Sequence, residues 1–258
     1  MNSKSASAYL NWIAYAVLVI GILLGLIILS APAGIWLGLW AFPVGLNILI
    51  QTDPYTHWVL ILCILGWIKL LGLALRAKAH NTVKLCSIAA AGVLSALIAW
   101  YIPSTFQARL TYPVIHDVST DVVNPPAYVA IAPLRADVPN SMVYGTVEGL
   151  TPAEHAEQQL AAFPDLVPRL IDASPQEVWD RALAALQEMD LEIVAAVPGE
   201  GRIEAIDTTF WFRFKDDVVI RIQPQGGQTL IDARSLSRVG RGDAGTNGLR
   251  LQRFFELL

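Results

Sequence analysis

Charge is scarce in this sequence. Only 16% of its 258 residues are Asp, Glu, Lys or Arg, against roughly 25% in an average soluble domain. The deficit is local: no charged residue stands between Lys4 and Asp53. Up to Tyr101 there are five basic residues (Lys4, Lys69, Arg76, Lys78, Lys84) and one acid, Asp53. So long an uncharged stretch excludes a purely cytosolic enzyme. Cysteine is nearly missing too. Cys63 and Cys86 both lie in the apolar half, where they act as small apolar residues, so the rest is not a disulfide-built secreted module. After Pro103 the only histidines are His116 and His155, and no G-x-S-x-G occurs; nucleophilic catalysis lacks its parts. That half holds 13 basic and 21 acidic residues, a balance of −8, which excludes nucleic acid as a natural partner.

What the first half does contain is apolar length. Runs at about 9–30, 58–75 and 83–103 each approach the roughly 20 helical residues that cross a bilayer. They predict a membrane region over 1–103 with three transmembrane helices in the bacterial inner membrane. Arg76, Lys78 and Lys84 crowd the connector between the second and third runs, and the connector between the first and second has no Lys or Arg. Basic loops stay cytoplasmic. The N-terminus with Lys4 is therefore expected inside, and everything after Pro103 on the periplasmic side. The apolar segment 33–51 carries Pro43 in its middle. Proline disfavours a continuous helix, so this segment is expected to lie in the outer interface, with Trp36, Trp40 and Phe42 at headgroup depth. Ala31-Pro32-Ala33 has the form of a signal-peptidase site, but the run before it is longer than a secretory h-region and predicts an uncleaved anchor. Lys69, inside the second run, is expected to snorkel towards the cytoplasmic end.

From 104 to 150 the sequence is rich in Pro, Asp, Val and Ser. This predicts an extended arm, since the pair Pro125-Pro126 forbids helix, with one short strand in AYVAIAPL. The soluble α+β domain is then placed at 151–258. Thr151-Pro-Ala-Glu154 and Ser174-Pro-Gln-Glu177 are helix-opening capping boxes; His155, on the first of these helices, reads as surface. In the second helix Val178, Trp179, Ala182, Leu183, Leu186 and Met189 form one apolar stripe. The runs LEIVAAV, RIEAIDT, FWFRF, DVVIRI and QTLIDARSL read as strands, with Gly226-Gly227 in a hairpin loop, and a helix closes the chain over 245–258. The order α-β-β-β-β-α with hairpin-length connectors argues an antiparallel sheet with both helices on one face. Ile203, Ala205, Val218, Ile220, Ile222, Ile231 and Ala233 would face those helices. Arg202, Glu204, Arg221, Asp232 and Arg234 would share the opposite face. That face is either a solvated ladder of cross-strand charge pairs or, if concave, a surface for an anionic ligand or partner.

Gly240-Arg-Gly-Asp-Ala-Gly245 fits G-x-G-x-x-G, but hairpin connectors do not build the parallel βαβ unit that a dinucleotide site needs. A glycine-rich loop beside Arg238 and Arg241 at a helix N-terminus suits an anion; the plainer reading is a turn with Asp243 or Thr246 as helix cap. His116, Asp117 and Asp121, joined by Asp216-Asp217, could offer metal ligands, yet one His and scattered acids fix no coordination geometry.

The runs HDVSTD, NPP, GRIEA, FKDDVVIR and RSLSRVGRGDAGTNGLR resemble the signature runs of a family of bacterial envelope proteins, domain of unknown function 1499. The resemblance covers about 112–258 and departs from the family pattern at Gly242, where a Ser is expected. It implies no reaction and no cofactor. It carries the family's runs onto His116, Asp117, Asp121, Arg202, Glu204, Asp216, Asp217, Arg221, Arg234, Ser235, Ser237, Arg238, Asp243, Asn247 and Arg250, besides the two prolines. The element order also resembles helix-grip modules, an analogy of fold only. The expectation is an envelope protein in the lipid bilayer whose periplasmic domain binds a partner or a small ligand, an anion being one option, through these residues. One alternative is a metal-assisted or hydrolase-like enzyme using His116, Asp117 and Asp217. Another is a carrier with an apolar cavity between the 174–189 helix and the sheet.

Overall fold

The computed structural model describes residues 3–76, 81–109 and 111–258; Lys78 and the side chain of Lys4, both used above for orientation, lie outside them. The chain divides into two compact units, Met1–Ala108 and Arg109–Leu258.

The first unit is three helices, α1 (Ser3–Trp36), α2 (Phe42–Arg76) and α3 (Thr82–Arg109). Each contains a stretch long and apolar enough to cross a membrane: Ser7–Trp36, Phe42–Arg76 and Thr82–Thr105. The segment 33–51 is not a separate element but is shared between the end of α1, a turn and the start of α2. Residues 37–41 turn, and 42–51 are already the opening turns of α2. Pro43 is the second residue of that helix, where its missing N–H would have had no partner anyway. The helices pack through small residues. A Cβ on Gly21 would collide with the carbonyl of Gly92, and one on Gly92 with that of Val17. Such close backbone approach lets dispersion hold helices that lipid cannot drive together. Ser95 Oγ donates to the Gly21 carbonyl (3.0 Å) and Trp67 Nε1 to that of Cys86 (3.0 Å). The Lys69 ammonium lies 5.7 Å from the centre of the Tyr9 ring.

The second unit is α+β. Its strands are β1 (Asp117–Ser119), β2 (Arg169–Ile171), β3 (Glu192–Val197), β4 (Arg202–Thr208), β5 (Lys215–Gln225) and β6 (Gln228–Ser237). They form one antiparallel sheet in the order β1-β6-β5-β4-β3, and β2 shares the outer edge of β6 with β1. Three helices accompany it: α4 (Pro152–Ala162), α5 (Pro175–Glu188) and α6 (Thr246–Leu257). Both capping boxes form, with Thr151 and Ser174 accepting from Glu154 and Glu177 N–H while those carboxylates reach back. Gly226 (φ 58°) and Gly227 (φ 86°) turn β5 into β6 between the paired Gln225 and Gln228, the positive φ values that a two-residue hairpin needs. One sheet face closes under α5 and α6. Val178, Ala182 and Leu186 of α5 and Leu251 and Phe254 of α6 share a core with Ile203, Val218, Ile220 and Ile231, all at most 1% exposed. Gly248 lets α6 lie flat against the Phe163 ring, which a Cβ there would strike.

Four details depart from the sequence reading. FWFRF is a loop between β4 and β5, not a strand. AYVAIAPL is bends and a short 3-10 turn, Ala132–Arg135. The pieces β1 and β2 join the sheet from segments not expected to pair. Finally, 111–150 is not an arm leading away: Asp117–Ser119 pairs with β6 and the chain that follows lies over the second face of the sheet.

Candidate functional site

Strand alternation sorts the sequence-marked residues onto the two sheet faces, and each group closes on itself. Glu204, Asp217, Arg221, Asp232, Arg234 and Leu236 point away from α5 and α6. This face is not solvated: Glu204 and Asp217 are 0%, Asp232 1% and Arg234 3% exposed. It is covered by residues 120–142, which contain almost no regular structure. A buried irregular backbone must find hydrogen-bond partners outside any ladder, and the strand charges supply them. Glu204 accepts from three successive N–H groups, Val129 (3.1 Å), Ala130 (2.9 Å) and Ile131 (2.8 Å), and pairs with Arg202. Arg234 makes a two-point contact with Asp117 (2.9 and 2.7 Å) and donates to the carbonyls of Pro126 (3.3 Å) and Met142 (2.7 Å). Tyr128 and Tyr144 lie 5.2 and 5.7 Å from its guanidinium. Asp217 holds Arg135 and Arg238, and Arg135 also donates to the Asn140 carbonyl (2.9 Å). Arg221 joins Asp232 (2.8 Å) to Asp121 (3.2 Å), while Asp121 accepts from Val123 and Asn124 N–H. Below these charges Tyr128, Ile131, Ile206, Val219 and Leu236 form a second, small core.

The helix face carries the remaining residues at the end where β4 finishes and β5 begins. Arg250 of α6 donates to Asp207 (2.7 Å), Asp216 (2.6 Å), Ser235 (2.9 Å) and Asn247 (2.7 Å). Asn247 in turn donates to Ser237 Oγ (2.8 Å) and to the His116 carbonyl (3.0 Å). Asp243 accepts from Gly245 and Asn247 N–H (2.8 Å each), so it caps the first turn of α6; the helix uses no side chain of Gly245, its N-cap. The structure thus gathers all fifteen marked residues into two networks on opposite faces, not one surface.

Burial sets the protonation states. It pushes the Tyr128 hydroxyl well above its usual value, and likewise Tyr144, where Asp117 adds to the effect, so both remain donors: Tyr128 to the Asp217 carbonyl (3.0 Å), Tyr144 to Gln159 (2.9 Å). Burial also raises Asp243, against the N–H bonds of Asn247 and Gly245, and raises Asp232, against the pull of Arg221. His155 is not at the surface. It is 0% exposed, edge-on to the Tyr144 ring (4.9 Å), and neither ring nitrogen makes a well-formed hydrogen bond. Burial lowers its pKa, with Asp117 opposing.

Residues essential to these networks but unmarked in the sequence are Arg135, Tyr128, Tyr144, Gln159 and Asp207. Gln159 accepts from Ser119 N–H (2.9 Å) and donates to its carbonyl (2.7 Å), extending the edge of β1 with a side chain. No periodicity announces such a role.

The chemistry that this arrangement permits is narrow. His116 Nδ1 lies 3.1 Å from the Arg241 carbonyl, while Asp117 and Asp217 are occupied by arginines. Among the described residues no three His, Cys, Asp or Glu converge to hold a metal, so a metal-assisted enzyme on His116, Asp117 and Asp217 has no ligand set. The space between α5 and the sheet holds the buried side chains of Val178, Ala182, Ala185 and Leu186. Open clefts among the described residues include two beside these networks and helices. One of about 360 Å³ lies between the start of α5 and the β3–β4 turn, against Trp179, Gly199, Gly201 and Pro224. The other, of about 370 Å³, is bordered by Arg109, Asp207, Arg250 and Arg253.

No curated protein matches the chain. The description that does match is a family one, protein of unknown function DUF1499, over residues 117–258. That stretch is more than half of the chain and contains the whole sheet and, but for His116, both networks; the chain belongs to this family.

Proposed function

We propose that the protein is a multi-pass protein of the bacterial inner membrane, with its N-terminus in the cytoplasm, whose periplasmic α+β domain is a binding module for an envelope partner or a small ligand. The observation that carries the binding reading is the internal pairing of the charged groups in both polar networks. Arg234, Arg250 and Asp217 are consumed by internal partners, so the polar residues shape a rigid surface and leave no nucleophile beside a base. What that surface offers is the cleft against Trp179, walled by the start of α5, the β3–β4 turn and the end of β5. The marked residues serve binding by holding this shape. The orientation is supported by the basic residues Arg76 and Lys84 at the facing ends of α2 and α3, since basic loops stay cytoplasmic.

The test is native mass spectrometry of the full chain released from lipid nanodiscs, beside Gly199→Trp. Gly199 lines the cleft and a Cβ there meets nothing within 4 Å, so a larger side chain has room to start at the cleft wall. The reading predicts a bound mass on the wild type that Gly199→Trp loses. A bound mass retained by both, or removed by a chelator, contradicts it. For topology, alkaline phosphatase fused after Leu258 should be active and fused after Arg76 inactive.

A further inference from the structure

The loop between β4 and β5, Thr209-Phe-Trp-Phe-Arg-Phe214, belongs to neither polar network and exposes aromatic surface. Phe210 is 65% exposed and Trp211 half-buried, while Phe212, at 5%, anchors the loop from below. The loop is built, not slack. Thr209 N–H donates to the Phe214 carbonyl (2.8 Å), Arg213 N–H to that of Thr209 (3.0 Å), and Phe214 N–H to Thr209 Oγ1 (2.9 Å). The Phe210 and Trp211 rings meet edge to face at 5.7 Å. Arg213 is held at φ 55°, a left-handed conformation that costs an arginine energy and persists only where the surroundings enforce it. A rigid loop that displays Phe and Trp beside exposed Arg213 and Lys215 has the composition of a bilayer interface, where aromatic rings settle at headgroup depth and cations meet phosphates.

The position of the loop in the domain says which surface it meets. The chain enters the domain at Arg109, and Arg109 borders the same cleft as Asp207. Asp207 stands next to Thr208, the last residue of β4, from which the loop springs. The loop therefore projects from the end of the domain at which the chain arrives. The apolar stretch of α3 ends at Thr105, and from there to Arg109 even a fully extended chain reaches only about 14 Å. Covalent connection keeps Arg109 within that reach of Thr105 in any orientation of the domain, whereas the β5–β6 turn stands at the other end of the long strands.

We propose that the Thr209–Phe214 loop is a membrane-interface contact: Phe210 and Trp211 enter the headgroup region of the leaflet on the domain's own side, and Arg213 and Lys215 engage lipid phosphates. This steadies an acidic domain, which a phosphate surface would otherwise repel, and it holds whichever side of the membrane the domain is on. The full chain, with Cys63→Ala and Cys86→Ala, is placed in nanodiscs. It carries an environment-sensitive fluorophore on Phe210→Cys or, as the distal control, on Gln223→Cys. With headgroup-nitroxide lipids the 210 probe should shift to the blue and lose most of its emission, and the 223 probe should change little. Lys215→Cys, also exposed, repeats the measurement if the first variant misfolds. Raising the anionic lipid fraction should deepen the quenching. Equal quenching at 210, 215 and 223, or a water-exposed probe at 210 in every lipid, would overturn the proposal and leave the loop as a surface for another protein.

Discussion

The two faces of one sheet are closed by opposite means. The face under α5 and α6 is apolar, and Ile203, Ile220 and Ile231 are sealed there by helices that satisfy their own backbone. The other face is covered by a segment without regular structure, which arrives with unpaired N–H and C=O groups. There the strands present Glu204 and Arg234, which bond that backbone directly, and Asp217, which reaches it through Arg135. The difference teaches that a row of charges along a strand does not by itself mean water. The charges belong to whatever covers the face, and an irregular cover demands them.

If this account is right, damage to the two faces should look different. Arg234→Ala leaves Asp117 buried without a partner and strips a donor from the Pro126 and Met142 carbonyls. Breaking a buried pair in this way costs about 3–5 kcal/mol. Urea unfolding should show the loss, and limited proteolysis should cut first within 120–142 while the sheet still resists. Leu186→Ala, on the helix face, should cost about 3 kcal/mol through the space it empties, and its proteolysis should open the domain as a whole. If both variants were cut at the same sites, the contrast between the faces would be lost. Ser174→Ala removes the cap of α5, worth about 1 kcal/mol, and should lower the urea midpoint without selective exposure of either face.

The smallest effect is one of pH. His155 is buried and neutral beside Tyr144, and its folded pKa lies below the ordinary 6.5. A depressed pKa contributes stability that is present above the unfolded value and lost as pH falls towards the folded one. Asp117 favours its protonation, while Arg234 and His116 oppose it. Wild-type thermal stability should therefore decline as pH drops below about 6.5. His155→Phe, which keeps an aromatic ring against Tyr144, should flatten that decline; an unchanged slope would assign it to other groups.

Much of the helix face was legible because burial under a helix imposes periodicity. Ile203, Ala205, Val218, Ile220, Ile222, Ile231 and Ala233 alternate as expected and all lie in the core. Both capping boxes, the Gly226-Gly227 turn and three apolar helices were readable for similar local reasons. The second face was not, because its partners are far apart in sequence: Glu204 meets Val129–Ile131, and Arg234 meets Asp117. AYVAIAPL looked like a strand because its apolar residues do go inside, but Glu204 takes the N–H groups a ladder would have used. FWFRF failed as a strand because Arg213 turns left-handed. His155 read as surface on a polar helix, since nothing local reveals that Tyr144 covers it. Pro43 misled by its place in an apolar run, where the helix begins one residue before it. The fifteen marked residues fall into the two networks, where they pair with one another and with Arg135 and Asp207.

The central claim, that the strand carboxylate of Glu204 satisfies the backbone covering the second face, is tested most directly by amide hydrogen exchange on the wild type and Glu204→Gln. In the wild type the N–H groups of Val129, Ala130 and Ile131 should exchange as slowly as neighbouring β5 and β6 amides, although they lie in no strand. In Glu204→Gln these three should exchange much faster while the strand amides stay slow. Rapid exchange at 129–131 in the wild type, or no change in the variant, would contradict the account.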